Sequence, residues 1–321
     1  MKKSIFNKNF FIGLIFGVIG LYWAFQDFSF SEFRSSINNV KLFFIFSAII
    51  ALWISIWLRG IRWKYLFQYD EAIKVSSLYR AQCIGYFGNN ILPVRIGELL
   101  KSYILSQEYS LPNSYVFGTV VLERILDLFS LAILSIVLLI IYNLPIEIKI
   151  NIIILIMIIL VLALIFFFLI KYLSKKQINY RIINLFIDGI SGLRIEIIFP
   201  ILLTSGMMWS IYWLDVYLIQ KALGLNMTYA QSLLVLILSS ISLSIPSAPG
   251  MIGTFHAGVK FTMTKILDYP SVESNSFAIL LHSYSYIFLT ILGLYYFIKS
   301  GYNQLTIKNI MSSKYNNINE K

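Results

Sequence analysis

The residues best placed for chemistry lie in Leu122-Glu123-Arg124-Ile125-Leu126-Asp127-Leu128, inside an otherwise apolar stretch. On a helix Glu123 and Asp127 share a face at i, i+4, and Arg124 reaches Asp127 at i+3. Ionisable groups within a membrane span face a bundle interior and mark pairs or pathways. The competing reading puts Glu123 and Arg124 in the first turns at headgroup level, with Arg124 snorkelling. Asp127 is one turn deeper. Asp215, beside Trp209, Tyr212 and Trp213, raises the same question in a later apolar run.

A second group is Asn89-Asn90-Ile91-Leu92-Pro93-Val94-Arg95-Ile96-Gly97-Glu98. Pro93 lacks an N–H and disfavours helix at Leu92, so an entering helix breaks there. Irregular backbone at membrane depth is tolerated only where protein or a wet cavity surrounds it, and Asn89 and Asn90 offer groups to satisfy it. Arg95 and Glu98, at i and i+3, pair with each other, or Arg95 meets a phosphate through its planar fork of donors. A third group is Pro246-Ser247-Ala248-Pro249-Gly250-Met251-Ile252-Gly253-Thr254-Phe255-His256. Two prolines and two glycines fit a broken helix or a loop at the membrane surface. A helix restarting near Gly253–Thr254 would offer its N–H groups to an anionic headgroup. His256 reads as an interior histidine rather than a proton relay.

Other chemistries are not signalled. There is no GxSxG, P-loop, HExxH, or GxGxxG in a strand–helix setting. Cys83 is the one cysteine, and His256 and His282 lack the spacing of metal ligands. The chain therefore reads as having no metal, no cofactor and no catalytic residues.

The elements that must position these groups follow from composition. Apolar residues make up 58% and charged residues 13%, about half the charged share of a soluble chain, and mean hydropathy is +0.77. The expected fold is all-α: a polytopic transmembrane bundle of about seven or eight spans, at roughly 20 apolar residues each. The apolar runs are 10–25, 42–58, 118–142, 150–172, 197–219, 230–245 and 277–298. The first, after Lys2, Lys3 and Lys8, is read as an uncleaved span. Residues 1–298 are expected to form a single membrane domain, and 299–321 a polar cytoplasmic tail.

The net charge of +11 would suggest nucleic acid for a soluble protein. Here the cations cluster in loops, which suits membrane orientation and anionic lipid and does not point to nucleic acid. Placing the rich segments 59–82 and 171–195 in the cytoplasm puts both termini inside. Arg59-Gly60-Ile61-Arg62-Trp63 then reads as an anchor at the cytoplasmic interface. Two segments, 82–117 and 230–276, must each begin and end on one side. Each either crosses an even number of times or is re-entrant, and each carries one of the Pro/Gly interruptions. Such a pair, one per half, points to a midplane site.

At these residues the chain resembles the lysylphosphatidylglycerol synthase transmembrane region family, the flippase-like membrane proteins. The resemblance rests on Asn89, Pro93, Arg95, Gly97 and Glu98, then Glu123, Arg124 and Asp127, then Pro249, Gly250 and Gly253, in order across about residues 10–298. Family members often carry Glu shortly after the last glycine, where this chain has His256, so an acidic role there is not implied. The two-part synthases join this region to a soluble aminoacyltransferase domain, which this sequence does not show. The resemblance thus implies an inner-membrane protein that binds and flips a phospholipid or another anionic or polyprenyl lipid, and not lysyl transfer. The alternative is a non-transporting membrane partner of an envelope glycosyltransferase or lipid-modification pathway. An intramembrane transferase using Glu98, Glu123 or Asp127 ranks last, for want of an activated nucleophile.

Overall fold

A computed structural model describes residues 40–68, 72–92, 96–175, 180–243 and 249–301, with Tyr22, Ser31, Arg34 and Asn38. Among these residues the chain is all-helical, without a strand. The α-helices are α1 (Leu42–Tyr65), α2 (Val75–Ile91), α3 (Gly97–Tyr109), α4 (Asn113–Ile141), α5 (Ile146–Lys175), α6 (Arg181–Ile190), α7 (Ile195–Ala222), α8 (Tyr229–Ser242), α9 (Thr254–Phe261) and α10 (Ser271–Lys299). A short 3₁₀ turn, Pro249–Met251, precedes α9, and a π-helical turn, Thr262–Ile266, follows it.

Five helices, α1, α4, α5, α7 and α10, are long and apolar enough to cross a membrane. They correspond to five of the seven expected runs. The run 10–25 and the tail beyond residue 301 lie outside the described residues. The run 230–245 belongs to a segment not expected to be a simple span, and its helix agrees: α8 has 14 residues, about 21 Å of helix, too short to span alone. Its start is fixed by a capping box, in which Thr228 accepts from the Gln231 N–H and Gln231 accepts from the Thr228 N–H.

Neither α2 nor α3 reaches spanning length, with 17 and 13 residues. They form an antiparallel hairpin, the arrangement that segment 82–117 requires if it starts and finishes on one side. Glycines bring its arms together: a Cβ on Gly88 would lie 2.8 Å from the Gly97 Cα, and one on Gly97 would overlap the Gly85 carbonyl oxygen. At the open end Glu108 accepts from Ser77 and from Arg80, each at 2.6 Å. The second interrupted segment folds back likewise, with α9 packed so closely on α8 that a Cβ on Gly258 would overlap the Ser242 hydroxyl. Its turn is sharp: Gly250, Met251 and Gly253 all have positive φ, at 69°, 59° and 101°, a region that glycine occupies without steric cost.

The main core gathers α7, α8, α9 and α10 with parts of α1, α4 and α5, around Met208, Val216, Leu234, Phe255 and Phe277. A second core holds Trp63, Leu78, Leu105, Val116 and Val120 where α1, α2, α3 and α4 meet. The helix α5 exposes Met157, Ile158, Leu162, Leu164 and Ile165, as a lipid-facing span does.

Candidate functional site

Between the two cores lies a buried ionic cluster that draws side chains from four helices. Its carboxylates come from α4 and α3. Glu123 is wholly buried; its Oε1 accepts from Arg59 Nη1 at 2.5 Å and its Oε2 from Gln82 at 2.9 Å and Lys101 at 3.1 Å. Asp127, one turn on, accepts from Arg62 at 2.6 Å and from Arg59 and Arg124 at 3.0 Å each. Glu98, in the first turn of α3, accepts from Arg124 at 2.6 Å, and its other oxygen lies 3.2 Å from Lys101 Nζ. Lys101 also stands over the Trp63 ring, whose indole N–H donates to Thr119.

Depth follows from helix geometry. Asp127 sits midway along the 29-residue α4, about 20 Å from either end at 1.5 Å per residue. Four cations, Arg59, Arg62, Lys101 and Arg124, thus meet three carboxylates, Glu98, Glu123 and Asp127, at the middle of α4 and beside the last turns of α1. Unpaired charges at this depth are very costly, and interlocking pairs offset that cost. One positive charge is left over. Arg124 is the member that faces outward, with its side chain 40% exposed, while Lys101, Arg62 and Glu123 are at 1% or less. Glu98 follows at 20%.

Several sequence expectations are corrected. Arg59, Arg62 and Trp63 are not an interfacial anchor: all three are buried, and the arginines are the main partners of Glu123 and Asp127. Glu123 stands in the third turn of α4, which begins at Asn113 rather than Gly118, and is wholly buried in the bundle. The Arg124–Asp127 contact at i, i+3 forms as its spacing implied. Arg95, with Pro93, lies outside the described residues; the described partners of Glu98 are Arg124 and Lys101. Pro246 also lies outside them.

The two interruptions converge. Asn89 Nδ2 donates to Glu98 at 3.4 Å across the α2–α3 tip. Asn90 Nδ2 donates to the Tyr286 carbonyl at 3.3 Å and to Thr290 Oγ1 at 2.8 Å on α10. Gly250 packs against the Tyr286 ring and lies beside the Asn90 carbonyl, to which the Tyr286 hydroxyl donates at 3.4 Å. Pro249 opens that 3₁₀ turn, and Gly253 precedes α9. His256 is buried, its ring 4.9 Å from that of His282 on α10.

The model of the lysylphosphatidylglycerol synthase TM region family matches residues 10–293. The chain belongs to this family. It is 30% identical to the UPF0104 membrane protein MJ1078 of Methanocaldococcus jannaschii, over 61% of this chain and 85% of that one. It is 31% identical to the UPF0104 membrane protein MJ1595 of the same organism, over 28% of each chain. It is 28% identical to the glycosyltransferase AglD of Haloferax volcanii, over 34% of this chain and 18% of that protein. No solved structure matches. In this member of the family, Glu98, Glu123, Arg124 and Asp127 sit in one cluster, and Asn90, Pro249 and Gly250 sit at the second meeting point beside it. Sequence reading missed Lys101, Gln82, Tyr212 and the two arginines of α1. The i, i+3 spacings Glu98–Lys101 and Arg59–Arg62 were the available signals.

Proposed function

We propose that this membrane-embedded, multi-pass protein binds the anionic headgroup of a lipid at the mid-bundle cluster and carries it between leaflets. The observation that carries this reading is the surplus positive charge, with Arg124 the outward-facing cation. Arg124 Nη1 and Nη2 are held by Asp127 and Glu98; an arriving phosphate competes for the same donors, since arginine matches phosphate with two parallel bonds. The carboxylates keep Arg124 oriented until then. The neighbouring hairpin tips, with Asn89, Asn90, Gly97, Pro249, Gly250 and Gly253, supply polar groups and broken backbone where a headgroup passes. Pro93, Arg95 and Pro246 join them by their place in the sequence, and His256 lies behind the second turn. The acyl chains remain in lipid. We place the protein in the cell membrane as one domain over residues 1–298, with both termini cytoplasmic and no chemical step.

The test is reconstitution. Proteoliposomes carrying labelled phosphatidylglycerol in one leaflet should equilibrate it faster than empty vesicles. Arg124→Ala should slow that movement at least tenfold, and Arg95→Ala should impair it, with the bundle still folded. Equal rates with and without protein, for phosphatidylglycerol and for a polyprenyl phosphate, would exclude translocation.

The similarity to part of a glycosyltransferase favours a second reading, a membrane partner for an enzyme acting on lipid-linked sugars. Cross-linking in native membranes that captures a glycosyltransferase, together with unaccelerated lipid movement, would support this reading over the first.

A further inference from the structure

Outside the cluster, Asp215 on α7 is the carboxylate that pairing does not account for. It is 3% exposed. It lies seven residues before the end of α7 at Ala222, about 10 Å along the axis, well inside a span. The Tyr284 phenol of α10 faces it as a weak hydrogen-bond donor, and among the described residues no cation pairs with it. Tyr284 also faces Tyr212, one turn from Asp215, and the Tyr212 hydroxyl accepts from Arg59 Nε at 3.4 Å and Nη2 at 3.3 Å. A line of polar side chains thus runs from Asp215 through two tyrosines to the ionic cluster.

The packed elements add no compensating charge. On α1 Arg59 is held by Glu123, Asp127 and Tyr212, and Arg62 by Asp127 and Ser205. On α4 Glu123, Arg124 and Asp127 are engaged in the cluster. On α8 the titratable group is Tyr229, exposed and stacked on Tyr217. On α10 His282 packs against His256 and Phe255.

Beyond the end of α7, where α10 begins, lies a cavity of about 360 Å³ lined by Leu225, Asn226, Tyr269, Glu273 and Ser276, among others; Asp215 does not line it. Glu273 and Tyr284 are eleven positions apart on α10, three turns, and so share a face. Asn275 Nδ2 and Ser276 Oγ, next to the cavity, are buried and unbonded.

We propose that Asp215 is a proton-binding site, coupled through Tyr284 and Tyr212 to the ionic cluster. A lone carboxylate taken out of water sheds most of its desolvation cost by accepting a proton, and an ionisable group within a span with no ion partner is suited to proton relay. Uptake converts the carboxylate to a neutral acid, the proton coming from water. Loss of that negative charge is felt at Arg59 and by the carboxylates that share it, so loading and headgroup engagement bias each other. The coupling to headgroups rests on the translocation reading; the proton site does not.

The experiment is infrared difference spectroscopy on the full chain in bilayers, with pH stepped from mildly acid to mildly alkaline and no lipid probe added. A protonated-carboxyl C=O band that titrates in this range is expected, absent in Asp215→Asn and displaced in Asp215→Glu, which keeps the acid. Its titration should move in Arg124→Ala, and this displacement should vanish when Tyr212→Phe is added. No Asp215-dependent band, or one that never titrates, overturns the site. A titration unmoved by Arg124→Ala overturns the coupling. An intact band in a protein that moves no lipid counts against translocation alone.

Discussion

Glu123 has three donors on its two oxygens, from Arg59, Gln82 and Lys101. Removing it leaves two buried cations without their shared partner. Glu123→Ala is expected to cost about 3–5 kcal/mol, the usual penalty for breaking a buried pair from one side. Thermal unfolding in detergent would check this, and a midpoint equal to wild type would contradict it. Arg124→Ala should differ in kind, because its side chain is 40% exposed. It should leave stability close to wild type while impairing lipid movement. The sequence showed Glu123, Arg124 and Asp127 as a group because their spacing is local. It hid Arg59 and Lys101, whose contacts to Glu123 bridge 64 and 22 residues. Near the end of an apolar run, cations look like anchors, and only the packing of α1 against α4 and α7 turns them inward.

At the scale of elements, the hairpin of α2 and α3 depends on Gly97. A Cβ there would lie 2.6 Å from the Asn89 backbone nitrogen and overlap the Gly85 carbonyl. Gly97→Ala should therefore prise the arms apart at a cost of about 1–3 kcal/mol, and the Glu98–Arg124 contact beside it should loosen. The variant should unfold at a lower temperature than wild type in detergent; an unchanged midpoint would argue against it. The existence of both interrupted segments was legible from proline and glycine placed within apolar sequence. Their convergence was not, since Asn90 meets Tyr286 and Thr290 across some 200 residues. The short α8 agrees with segment 230–276 not being a simple span, although hydropathy alone does not separate a spanning helix from half of a folded-back pair.

For the whole molecule, all-α architecture and membrane embedding could be read from composition, and the spans α1, α4, α5, α7 and α10 follow the apolar runs. Loop charge also makes a global prediction. A tag after Lys321 should be digested by protease in inverted vesicles and protected in right-side-out vesicles or cells. The reverse pattern would invert the proposed topology and, with it, the side from which the cavity near Glu273 opens.

The ionic cluster also constrains how the protein is made. Arg59 and Arg62 lie 64 and 65 residues before their carboxylate partners, so α1 leaves the ribosome well before α4 exists. During that interval its two arginines lack Glu123 and Asp127. The docking of α1 against α4 is therefore expected to come late, once α4 has been made.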